Sequence, residues 1–115
     1  MSIIYGINNC DTVKKAQKWL ANNQINIEFF DFKKQTLTAE ILKQFVNLAP
    51  WEQLINKRST TYRNLSDDIK NNLHGEIAFN AVMASPTLLK RPLLIHNGNL
   101  HLGFKVVQYQ EIFNS

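Results

Sequence analysis

This chain of 115 residues holds a single thiol, Cys10, at a place where a thiol can become reactive. In IYGINNCDTVKKAQKWL, Ile4 to Leu20, an apolar strand runs into a turn of Gly6, Asn8 and Asn9, and a helix begins at the cysteine. The first N–H groups of a helix have no intrahelical partner, and the macrodipole adds partial positive charge there. A thiol so placed gives up its proton more readily, and the thiolate is the nucleophile. Lys14 and Lys15 add positive charge about one turn on, whereas the carboxylate of Asp11 opposes a second anion beside it. The alternative is an inert core cysteine. Its flanks Asn8, Asn9, Asp11 and Thr12 are all polar, which is not how a core position reads. The N–H groups of Asp11 and Thr12, with Asn9 beside them, are candidates to hold charge next to the sulfur.

A second constellation is Lys90-Arg91-Pro92. A proline donates no ladder hydrogen bond, which is tolerated at the first residue of a strand. Arg91 can offer its planar fork to a carboxylate or oxyanion; the alternative is an ordinary surface arginine. Whether the Arg91–Pro92 bond is cis is not written in the sequence. His74, His96 and His101 lack close ligand spacing to one another and to Cys10, so no metal site is expected.

The elements that must position these residues follow from periodicity. Residues 2–6 form a short buried strand, and Val13, Ala16 and Leu20 recur at helical spacing until Asn22-Asn23. Ile25 to Phe32 is rich in β-branched and aromatic residues and reads as a second strand. Thr38 caps a helix carrying Ile41, Leu42, Phe45 and Val46 that ends near Pro50. Trp51 to Ala84 reads as several short helices, one starting at Ser66 before Asp67-Asp68, with Gly75 breaking the run. After Ser85-Pro86 come LLKRPLLI, HNGN and LHLGF, where Asn97-Gly98 between apolar runs signals a hairpin. A last helix spans roughly 106–113. The order β-α-β, helical block, β-β-α predicts a mixed four-stranded sheet with helices on its faces, in one α/β domain over residues 1–115.

Composition sets the broad class. With 44% hydrophobic residues the chain can bury a core, and one cysteine excludes any internal disulfide. No signal peptide and no membrane-spanning run is read, so a cytoplasmic protein without a membrane partner is expected. The net charge of +4 comes from short groups such as Lys14-Lys15, Lys33-Lys34, Lys57-Arg58 and Lys90-Arg91. They form no long basic stripe with interleaved aromatics, so direct nucleic-acid binding is not expected.

Strand order, the cysteine at the β1–α1 junction and the proline opening the third strand resemble the thioredoxin superfamily. The segments YGINNCDTVKKAQKWL, WEQLINKRSTTYRNL and SPTLLKRPLLIHNGNLHLGF narrow this to the ArsC/Spx family, with the YffB-like branch nearest. The resemblance covers essentially the whole chain and places the inserted helical block at roughly 37–84. It implies a thiol oxidoreductase with Cys10 as nucleophile and no bound cofactor. Glutathione is then the co-substrate and glutaredoxin a further partner. Of the three arginines that arsenate reductases set around the oxyanion, Arg91 matches one, next to Pro92. Arg58 falls near another, displaced along its segment, in the register that Spx-like proteins share. The third has no counterpart, with Lys105 the nearest cation, and Gly6 stands where a histidine is expected. These departures argue against arsenate itself. The alternative is a Spx-like regulator that binds RNA polymerase without catalysis. Its C-x-x-C switch is absent, since Val13 occupies the second position.

Overall fold

Ile3, Ile4 and Tyr5 drive the first strand, β1 (Ser2–Gly6), into the middle of a sheet in the computed structural model, which describes residues 2–114. Helix α1 (Asp11–Asn22) buries Val13, Ala16 and Leu20 on one face. Strand β2 (Glu28–Asp31) returns parallel to β1, pairing Ile3 with Glu28 through Gly6 with Asp31. The expected strand at Ile25 to Phe32 is therefore shorter than read. Gln24 turns through a positive φ of 57° and Ile25 donates back to the Leu20 carbonyl at 2.9 Å. Ile25 and Ile27 pack on the core without joining the ladder.

Thr38 caps α2 (Ala39–Leu48), its hydroxyl accepting from the Ile41 N–H. The expected short helices follow as α3 (Trp51–Leu54), α4 (Thr60–Arg63), α5 (Asp67–Asn71) and α6 (Gly75–Ala84). Ser59 and Ser66 cap α4 and α5 through their hydroxyls. The segment after Ser85 divides in two. Pro86–Leu88 forms a 3-10 turn, whose Leu88 carbonyl accepts from Asn56 N–H at 2.9 Å, and Ile55 bridges Leu89.

The cis Arg91–Pro92 bond precedes β3 (Leu93–His96), which pairs antiparallel with β1 and with β4 (Asn99–Leu102). Asn97 and Gly98 both take positive φ, 51° and 80°, as a two-residue hairpin with right-handed strand twist demands. Helix α7 (Val106–Phe113) closes the chain. The sheet order is β2-β1-β3-β4, the mixed four-stranded sheet expected. The chain divides into two compact units, one of residues 2–35 with 91–114 and one of Thr36–Lys90. The second unit contains the helical block and extends past it to Lys90. No described helix is long and apolar enough to cross a membrane.

The first unit's core joins Ile4, Ala16, Leu20, Leu94 and Tyr109, with Trp19 and Phe104 edge-on to the Tyr109 ring at 5.8 and 4.7 Å. The Tyr109 hydroxyl is buried with no hydrogen-bond partner among the described residues, and burial pushes its pKa well up. An unsatisfied buried hydroxyl costs about 1–3 kcal/mol. Tyr109→Phe should therefore raise stability by about 1 kcal/mol, read as a higher urea midpoint at unchanged slope. A drop of that size would show that the hydroxyl is satisfied.

Candidate functional site

Cys10 is the N-cap of α1, with extended backbone (φ −90°, ψ 126°) and no side-chain capping bond. Its N–H donates to the Ile7 carbonyl at 3.2 Å, and its carbonyl accepts the first helical bond from Lys14 N–H at 2.9 Å. Backbone bonds hold the turn and the sulfur makes no capping bond. The thiol is half-buried. The next N–H groups, of Asp11, Thr12 and Val13, have no partner inside the helix. Asn9 and Asp11 are exposed, Thr12 is half-buried, and Lys14 and Lys15 are exposed.

The glycine before this turn is required by packing. A Cβ on Gly6 would stand 2.8 Å from Val13 Cγ2, and Val13 is fully buried. The end of β1 and the first turn of α1 are therefore in direct contact, which fixes where the helix N-terminus points.

Arg91 and Pro92 belong to the same unit as Cys10. Tyr5 pairs with Leu93, so Arg91, two residues earlier, leaves the sheet at the end where β1 runs into the Cys10 turn. Arg91 is half-buried with its Nε fully enclosed, and Pro92 is buried with its carbonyl accepting from Gly103 N–H at 2.9 Å. Arg58 belongs to the other unit. It is exposed, and its backbone N–H donates to Asn56 Oδ1 at 3.0 Å. Lys105 is the exposed N-cap of α7.

Two features at this sheet were not read from the sequence. Asp31, at the end of β2, is the one charged side chain that is buried among the described residues, 6% exposed. Nothing marked it, because an acid at the end of a strand is ordinarily solvated. The other is a pair on β3 and β4: Leu94 faces His101 across the ladder, so His96 lies diagonal to His101. Burial lowers the His101 pKa, and the neighbouring His96 lowers it further.

The sequence matches the ArsC family over residues 5–112. It is 44% identical to an arsenate reductase (ArsC) related protein from Brucella melitensis, covering 99% of this chain and 95% of that one, with a TM-score of 0.79. It superposes on the YFFB (PA3664) protein with a TM-score of 0.91 at 32% identity, covering 97% and 98% of the two chains. It is also 29% identical to the global transcriptional regulator Spx of Lactiplantibacillus plantarum, over 90% of this chain and 80% of that one. The fold is the thioredoxin-like one of these relatives, with Cys10 where its first helix begins. The chain is a member of the ArsC family.

Proposed function

We propose that this protein is a glutathione-dependent thiol reductase of the arsenate-reductase-like kind, with Cys10 as its nucleophile. The observation that carries the reading is the half-buried thiol at the N-cap of a twelve-residue helix, free of any capping bond, where the first turn's N–H groups have no intrahelical partner. The thiolate attacks an oxidised or oxyanionic substrate and forms a Cys10 adduct as a thiolate, or a hydroxide that leaves as water, departs. The glutathione thiolate then attacks the Cys10 sulfur, the reduced substrate leaves with the electron pair, and a Cys10–glutathione disulfide remains. With no second cysteine in the chain, an external thiol must resolve that adduct, and glutaredoxin is a fitting partner. Arg91 holds an anionic group of the adduct, and Arg58 is the second candidate cation. The cytoplasm supplies the reduced glutathione this cycle consumes. Arsenate itself is disfavoured as substrate, because the third arginine of the family pattern has no counterpart.

Similarity to a transcriptional regulator favours a second reading, a binding protein that engages RNA polymerase without catalysis. The two separate cleanly. With oxidised glutathione, the Cys10 thiolate attacks one sulfur, the Cys10–glutathione bond forms, and one glutathione departs as a thiolate with the electron pair. Intact mass should show one glutathione per chain, and none on Cys10→Ser. Arg91→Ala should slow the reaction about ten-fold, and Arg91→Lys should recover part, since a point charge cannot replace a planar fork. An accessible Cys10 that forms no adduct, together with retention on immobilised RNA polymerase, would replace the reductase by the regulator.

A further inference from the structure

A cavity of about 440 Å³ lies beside the Cys10 turn, bounded by Asn8, Gln17, Phe29, Asp31, Lys34 and Gln35. It opens where the parallel strands β1 and β2 end, at Gly6 and Asp31, the edge at which open α/β sheets take their ligands. Its volume lies in the ordinary range for small-molecule sites. Its wall holds the buried Asp31 carboxylate, whose Oδ1 is oriented by Lys33 N–H at 2.9 Å. Burying a carboxylate is costly unless it is well paired, and one neutral N–H leaves room for a cation. Opposite in charge stands the exposed Lys34, and three side-chain amides complete the polar lining.

That combination selects a charge type. A plain oxyanion meets the Asp31 carboxylate, and a plain cation meets Lys34. A group carrying both charges a few ångströms apart satisfies both, and an α-amino acid is such a group. Asn8, Gln17 and Gln35 can donate or accept at its edges, while Phe29 lies against its methylenes. Asn8 is two positions from Cys10, so their Cα atoms lie within about 7.6 Å. The thiol of glutathione sits on its central residue, and from there to one end the two residues reach about 7 Å, a span like that from Cys10 to Asn8 at the cavity's edge.

We propose that this cavity is the subsite for the zwitterionic α-amino-acid end of the thiol co-substrate, with Asp31 binding its ammonium and Lys34 its carboxylate. The inference rests on the glutathione-dependent reading and names what that reading leaves open, which end of the tripeptide is recognised and where.

S-methylglutathione, which cannot form a disulfide, tests it without any chemistry at Cys10. Titrated into the intact protein and followed by backbone amide NMR, it should give saturable shifts concentrated at Asn8, Gln17, Asp31, Lys34 and Gln35. Its N-acetylated form, which has lost the ammonium, should bind at least about ten-fold more weakly. Asp31→Asn keeps an oxygen for the Lys33 N–H, and Lys34→Gln alters an exposed side chain. Each should weaken S-methylglutathione by a similar factor while circular dichroism shows the fold retained. If Asp31→Asn fails to fold, Lys34→Gln and the acetylated ligand still decide. Equal affinity for the two ligands, or shifts that bypass these residues, overturns the subsite. Binding here with no Cys10 adduct from oxidised glutathione removes the reductase and keeps the subsite. An adduct without this binding does the reverse.

Discussion

Alanine at position 6 should destabilise this protein by about 1–3 kcal/mol, a large part of the stability of a small domain. The added methyl would stand 2.8 Å from Val13 Cγ2 and 3.3 Å from Cγ1. Neither side can yield easily. Val13 is fully buried, and a β-branched residue in a helix has one strongly preferred χ1. Gly6 is held by its pairing with Asp31 and by its carbonyl, which accepts from Phe32 N–H at 2.9 Å. Relief must come from a shift of the α1 N-terminus, which carries Cys10. Gly6→Ala should therefore lower the urea midpoint and also slow adduct formation at Cys10. Val13→Ala in the same chain should restore part of both, so the double variant costs less than the sum of the single ones. A Gly6→Ala protein as stable as the parent would mean that the strand and helix are not in this contact. The same packing gives a physical reason for glycine where the family pattern expects a histidine. With valine at 13 there is no volume for any side chain at 6.

Much of this neighbourhood was legible in the sequence, because local rules govern it. The Thr38 and Ser66 caps, the Asn97-Gly98 hairpin and the Asn23 end of α1 each follow from side-chain chemistry within a few residues. The strand at Ile25 to Phe32 was overextended because composition alone set its limits. The ladder has only Ser2–Gly6 to pair with, so the apolar Ile25 and Ile27 serve the core instead. The segment LLKRPLLI serves two units that meet at Lys90-Arg91, Leu88 and Leu89 buried in one and Leu93 to Ile95 in the other. Periodicity carries no mark of that division. Asp31 was invisible for a different reason. It shares a cavity wall with Asn8, Gln17 and Gln35, which the fold brings together from the β1–α1 turn, the helix and the loop after β2. Arg91 could be nominated from its residue type, but its position at the Cys10 end of the sheet comes from the β1–β3 register.

Installing a second thiol by Val13→Cys should change how the Cys10 adduct is resolved. Positions 10 and 13 are the N-cap and third residue of α1, one turn apart on the same face. In the parent chain the mixed disulfide with glutathione has no thiol in the same molecule to displace it, so it should persist until external thiol is added. In Val13→Cys the introduced thiolate attacks the Cys10 sulfur, the Cys10–glutathione bond breaks, and glutathione leaves with the electron pair. A disulfide then joins the two positions. An intramolecular thiol acts at an effective concentration of mM or more. At micromolar free glutathione the adduct lifetime should therefore fall by about a hundred-fold or more. Intact mass should show the glutathione adduct replaced by a species two hydrogens lighter than the reduced variant. The substitution removes methyl groups from a fully buried site, at a cost of about 1 kcal/mol, so the fold should survive. A disulfide between the two positions needs a Cβ separation of about 3.8 Å. An adduct that lasts equally long in both proteins would show that the first turn of α1 holds position 13 out of reach. Cys10 would then be a nucleophile that only an external thiol can resolve, whatever its neighbour.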